Sequence, residues 1–169
     1  MGRLVDMIVI HCSATPNGRA VSVADIRSWH LARGFTDIGY HWVVYLDGTV
    51  HAGRPEEEMG AHALHFNEHS IGICMVGGVG AAGADPHNPG KYTAAQWIAL
   101  RRLIDDIESR HPIKRICGHR DLSPDVNSDG HIEPSEWIKL CPSFDVDGWR
   151  EAGMFPAALN VLEDPCSKT

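Results

Sequence analysis

The sequence predicts an α/β fold in which a central mixed β-sheet is flanked by α-helices. Three observations predict it. Short β-rich apolar runs stand at "VDMIVIH" (5–11), "SIGICMVGG" (70–78) and "IKRICGH" (113–119), each the length of a buried strand. Stretches of helical spacing lie between them, so strand and helix alternate as in layered α/β proteins. One alternating segment, "YHWVVYLDGTVH", carries an Asp-Gly turn and reads as an antiparallel hairpin, which makes the sheet mixed. A chain of 169 residues fits a single domain over 1–169, large enough to bury roughly 70% of its extended-chain surface.

The remaining elements follow in order. After the first strand, "SVADIRSWHLARG" has Ser22 as N-cap, Val23, Ile26, Trp29 and His30 on its apolar face, and Gly34 as its stop. The hairpin and the second buried run come next, and "GVGAAGADPHNPGKY" after them is a loop. "TAAQWIALRRLIDDIESR" (93–110) opens with a capping box at Thr93 and Gln96 and keeps helical spacing through Trp97, Leu100, Ile104 and Ile107. Beyond about Pro156 the signals are weak, and the tail is expected to wrap the surface.

The formal charge of −7 argues against a polyanion-binding surface, so no nucleic-acid partner is expected. Cysteines at 12, 74, 117, 141 and 166 are odd in number and not spaced in pairs, and several sit in apolar runs as reduced core cysteines do. Six residues precede the apolar "MIVI", which is too short for a signal peptide, and no stretch approaches the ~18 apolar residues of a membrane span. The expectation is a cytoplasmic monomer with no membrane anchor.

Two constellations carry chemistry. His11 ends the first strand, His119 ends the last, and Cys141 follows in "KLCPSFD". Two imidazoles and a thiolate with a fourth position open form a donor set of catalytic zinc. Each residue also has a plain structural reading, and eleven histidines make a chance trio easy to pick. The second constellation is "DVNSDGHIEPSE" (125–136), which fits the calcium-loop pattern D-x-[DN]-x-[DN]-G-x5-E at every specified place. It assigns Asp125, Asn127 and Asp129 to loop positions 1, 3 and 5, the His131 carbonyl to 7 and Glu136 to 12, with Gly130 at the sharp turn and Glu133 at position 9. Pro124 occupies the end of a missing entering helix, whereas "PSEWIKL" reads as the exiting one. The bland alternative is an acidic surface turn without an ion.

"HCSAT", "DIGYHWVVYLDGTVHAGR", "GAHALHFNEHSIGICMVGG", "GHRDLSP" and "CPSFDV" come in the order and character of the type-2 N-acetylmuramoyl-L-alanine amidases. The chain resembles most closely the short phage lysozymes of that family, from about residue 5 to residue 150. The resemblance implies zinc held by His11, His119 and Cys141, with Tyr40 and Lys139 as catalytic groups that stabilise a developing oxyanion. It also implies that His62 and Asn67 line the substrate groove as contacts to a muramyl-peptide. His41 lies on the opposite strand face from Tyr40 and reads as structural; Arg120 and Asp121 read as partners orienting the loop after His119. The implied function is hydrolysis of the bond between N-acetylmuramic acid and L-alanine in peptidoglycan by a phage or prophage endolysin, with catalytic zinc and structural calcium. A peptidoglycan-recognition module that binds without cutting, and a recycling amidase for soluble muropeptides, are the alternatives. One departure stands out. In the short phage lysozymes the zinc His and Cys are a few residues apart, whereas here Cys141 comes 22 positions after His119. The calcium-type loop fills that gap and is expected to clamp it.

Overall fold

Every residue of Met7–Cys12 is buried because this strand, β1, has a neighbour on each edge and a layer over each face. The computed structural model describes residues 2–80, 83 and 89–163; part of the loop after the second apolar run, Cys166 and the end of the tail lie outside them. In chain order β1 is followed by β2 (Thr15–Pro16), α1 (Val23–Ala32), β3 (Trp42–Val44), β4 (Val50–Ala52), β5 (Ser70–Met75), β6 (Gly78–Val79), α2 (Ala94–Arg110), β7 (Arg115–Gly118) and α3 (Val146–Glu151). The main sheet has the order β4-β3-β5-β1-β7. Its strands are parallel except β4, which pairs antiparallel with β3 across the Asp47-Gly48 turn. The sheet is therefore mixed, as the hairpin pattern predicts. Strands β2 and β6 form a separate parallel pair.

Alternation along β1 sorts its side chains between two layers. Ile8, Ile10 and Cys12 share a core with Leu100, Ile104 and Ile107 of α2. Met7 and Val9 point the other way, against Ala63 and Cys117. On that second side Ile26 of α1 packs with Ile38, Val43 and Cys74. His11, two residues beyond Val9, belongs to the α1 side by the same alternation. Capping boxes start both long helices, Ser22 with Asp25 and Thr93 with Gln96. Gly34, at φ +87°, takes the chain out of α1 in a conformation that side chains with a Cβ rarely adopt. Among the described residues no helix is long and apolar enough to cross a membrane.

Two expectations are corrected and one element is added. Residues 134–140 form turns and extended chain, not an exiting helix. The Ile138 amide donates to Ser123 Oγ (3.1 Å) rather than to the carbonyl four residues earlier, and the Arg120 guanidinium lies 4.1 Å from the centre of the Trp137 ring. Seven residues give little helical return on a costly nucleus, so these contacts win. The tail beyond Pro156 is anchored rather than merely wrapped: Tyr92 N–H donates to Asn160 O and Leu162 N–H to Tyr92 O. Finally, α3 was not anticipated. It has Asp145 as N-cap and buries Val146 and Trp149 in the α2-side core.

Candidate active site

In a parallel sheet the carboxyl ends of neighbouring strands open onto a crevice. His11 stands near the end of β1, and His119 follows Gly118 at the end of β7 and opens a 3-10 turn, His119–Leu122. Cys141 comes from the far end of the long connection. One ligand atom from each of the three lies within 4.8 Å of the other two. Among the described residues no other trio of His, Cys, Asp or Glu does so.

The cysteine is tied from several sides. Cys12 N–H donates to Cys141 Sγ (3.0 Å), Arg120 N–H donates to Cys141 O (2.8 Å), and the Tyr92 hydroxyl donates to Pro142 O (2.6 Å). Asp121 caps the same corner by accepting from Gly118 N–H at 2.7 Å. Arg120 and Asp121 therefore orient this loop, as expected of them.

A cleft of about 320 Å³ is lined by His119 and Cys141 of the trio, with His11 buried beneath. Tyr40, His62 and Lys139 line it, so three further predicted residues meet here. The Tyr40 ring centre is 5.1 Å from that of His11, and burial raises its pKa well above the ordinary phenol value, which keeps the O–H as a donor. Burial, with the neighbouring imidazoles, holds His11 well below the usual histidine range. Burial first, and the Lys139 charge second, lower His119 to about 4. Both imidazoles are thus neutral at neutral pH, with a lone pair to give. Burial pushes the Cys141 thiol up, so a cation is what would draw a thiolate from it. Two neutral imidazoles, one sulfur and an open cleft side fit zinc.

His62 is buried, with Nδ1 3.0 Å from His11 Nε2. Its ring occupies a slot made by two glycines: a Cβ on Gly72 would stand 2.5 Å from it, and one on Gly60 would stand 2.6 Å away. Asn67 faces the loop rather than the cleft, its Oδ1 accepting from the amides of His62 and Ala63 at 2.8 Å each. His41 is buried behind, accepting from Gly72 N–H at Nδ1 and meeting Glu58 O at Nε2, which matches its structural reading. Trp29, His30 and Arg33 of the α1 end also line the cleft and were not singled out as site residues. The signal was present, because Ile26, His30 and Arg33 share one helical face at four- and three-residue spacing.

The 125–136 loop is different. Asp125 accepts from the amides of Asp129 and Gly130, and Asp129 accepts from His131 N–H. Asn127 Oδ1 accepts from Asp129 N–H. Glu136 reaches back to the amides of Val126, Asn127 and Glu133, which clips the two ends of the loop together. Gly130 has φ +87°, as the sharp turn requires. The carboxylates accept from backbone amides and do not gather into a second trio of His, Cys, Asp or Glu ligand atoms.

Residues 1–136 match the N-acetylmuramoyl-L-alanine amidase family. The chain belongs to that family. It is a peptidoglycan amidase. It is 38% identical over 146 residues to the endolysin of Escherichia phage T7, covering 86% of this chain and 85% of that one. An uncharacterized protein of Haemophilus influenzae is 51% identical over 107 residues, 63% of this chain and 90% of its own. Peptidoglycan-recognition protein SC2 of Drosophila melanogaster is 34% identical over 116 residues, 66% of this chain and 58% of its own. Among solved structures, the N-acetylmuramoyl-L-alanine amidase LysC from Clostridium intestinale URNW superposes with a TM-score of 0.66 at 24% identity, over 94% of this chain and 87% of that one. Drosophila PGRP-LB gives 0.64 at 22% identity, over 97% and 88%; both likenesses speak for the fold. The family match stops short of Lys139 and Cys141, so those two rest on the geometry of the cleft.

Proposed function

We propose that this amidase is a zinc enzyme of the endolysin kind, cutting the bond between the lactyl group of N-acetylmuramic acid and L-alanine. The observation that carries the zinc reading is the convergence of His11, His119 and Cys141 within 4.8 Å under a cleft lined by Tyr40 and Lys139. Zinc held there supplies a water acidified to a pKa of ~7 and a Lewis acid for the scissile carbonyl. The chain's own groups do the rest. The Tyr40 hydroxyl and the Lys139 ammonium face the carbonyl oxygen as it gains charge, and donors aimed at that atom stabilise the transition state more than the ground state. Burial raises the Tyr40 phenol well above its ordinary value, so its hydroxyl acts as a fixed donor.

Binding follows the same logic. Arg33 and Lys139 are the charged side chains lining the cleft, and no carboxylate lines it among the described residues. In a chain of formal charge −7, that local reversal favours an anionic peptide stem. His62, where it lines the cleft, is the contact to the muramyl-peptide, and Asn67 holds the loop that carries it. Calcium at Asp125, Asn127, Asp129, the His131 carbonyl and Glu136 is proposed on the strength of the sequence pattern, as a clamp on the connection between His119 and Cys141. The protein is placed in the host cytoplasm until lysis, as a monomer forming one domain over 1–169.

Incubation with purified sacculi tests the reaction. New L-alanine amino termini are expected; new reducing sugars, or binding without either product, would overturn the assignment.

A further inference from the structure

The hydrogen bonds behind His11 run in one direction, and a serine sets it. The Ser70 hydroxyl donates to Phe66 O at 2.7 Å, and a carbonyl can only accept. Its single proton is therefore spent, and Ser70 Oγ can meet His62 Nε2, 3.4 Å away, only as an acceptor. His62 Nε2 then carries the ring proton and Nδ1 is bare, since burial keeps this imidazole neutral. The bare Nδ1 lies 3.0 Å from His11 Nε2, so His11 Nε2 must donate. A neutral His11 has one ring proton, and it is now committed to Nε2. The nitrogen left bare is Nδ1.

The opposite order is disfavoured at each link. A proton on His62 Nδ1 would leave its Nε2 lone pair against the Ser70 oxygen, whose own proton is held by Phe66 O. It would also force a proton onto His11 Nδ1. Flipping the His62 ring does not escape this, because a half-turn puts Cδ2 in place of Nδ1 and Cε1 in place of Nε2, and both partners then lose their nitrogen. Ser70 itself is fully buried at the first position of β5, so water does not substitute for either partner.

We propose that Ser70 is a positioning residue of the metal centre: through His62 it fixes the His11 tautomer that presents Nδ1 as the zinc-binding nitrogen. The inference rests on the zinc reading above and adds to it a specific ligand atom and a residue outside the cleft. A ligand imidazole whose second nitrogen is held by an outer partner binds metal more tightly, and loss of that partner typically costs about 10–100-fold in affinity.

Two measurements decide it. Long-range proton–nitrogen NMR of the wild-type protein should show His11 and His62 both protonated at Nε2, with and without zinc. A proton on His62 Nδ1 overturns the proposal and needs no variant to be seen. Competition with a chelator of known affinity should show zinc held about 10–100-fold more weakly by Ser70→Ala, measured at a temperature where the metal-free variant is still folded. Equal zinc affinity in Ser70→Ala and wild type overturns the role of Ser70. A wild type that binds no zinc overturns the metal reading instead, so the two failures are distinguishable.

Discussion

The site has two arms that solve the same placement problem in opposite ways. His11 stands on a strand hydrogen-bonded on both edges and is backed by His62 in its glycine slot. His119 and Cys141 bound a connection whose middle, 125–136, is largely exposed and held by side chains accepting from its own backbone. The first arm owes its geometry to sheet pairing and close packing, which cost cavity or overpacking energy to disturb. The second is firm only at its base, where Arg120 N–H, Cys12 N–H and Ser123 Oγ tie the two ends together. The comparison teaches that a long connection is tolerated between two residues of one proposed metal site provided its base is closed; loop-closure entropy grows only slowly with length.

The largest effect expected is at the point where the arms meet. Cys141→Ala should leave the fold intact and bring zinc content and turnover close to zero; stoichiometric zinc in that variant would mean that the second arm does not reach the metal. Next, Tyr40→Phe and Lys139→Ala should keep zinc and lose ~10²–10³ in rate. Near wild-type rates in both would leave the metal alone responsible and remove these residues from the chemistry.

A smaller effect is expected at the tip of the second arm. If calcium binds the folded loop only, stability rises as RT ln(1 + [Ca]/Kd), ~2.7 kcal/mol at a hundredfold excess. The melting temperature should rise with added calcium in wild type and not in Glu136→Gln. An unchanged melting temperature in wild type would reduce the 125–136 segment to an acidic turn.

The last effect, read only below pH 6.5, belongs to the packing behind the first arm. Burial, as the largest cause, lowers His30 and His41 from 6.5 to about 4 in the folded protein. Between these values the unfolded chain binds protons that the folded chain refuses, so stability falls as pH drops from 6.5 towards 4. The metal-free melting temperature should decline through that window, and His41→Gln should flatten the slope. A slope that His41→Gln leaves unchanged would take that residue out of the effect.

What the sequence revealed divides along the same line. The strands, both capping boxes and the hairpin were legible because apolar periodicity and turn chemistry are local signals. His11, His119 and Cys141 could be named, since strand ends and family motifs mark them, but only the fold brings residues 11, 119 and 141 together. The α1 contribution to the cleft was hidden because Trp29 and His30 read as part of an apolar face, and that face runs out of the core into the groove. The exiting helix failed because the Ile138 amide is taken by Ser123 Oγ and the Trp137 ring by the Arg120 guanidinium, contacts that no local pattern announces. The Ser70 relay was invisible for a related reason: a serine at the start of a buried strand carries no sign of the carbonyl that will take its proton.

The central claim is that both arms supply ligands to one zinc ion, and zinc-edge X-ray absorption of the loaded protein tests it most directly. One sulfur at ~2.3 Å and two imidazole nitrogens at ~2.0–2.1 Å are expected, with a light atom in the fourth position. A shell without sulfur, or one with two sulfurs, would contradict it.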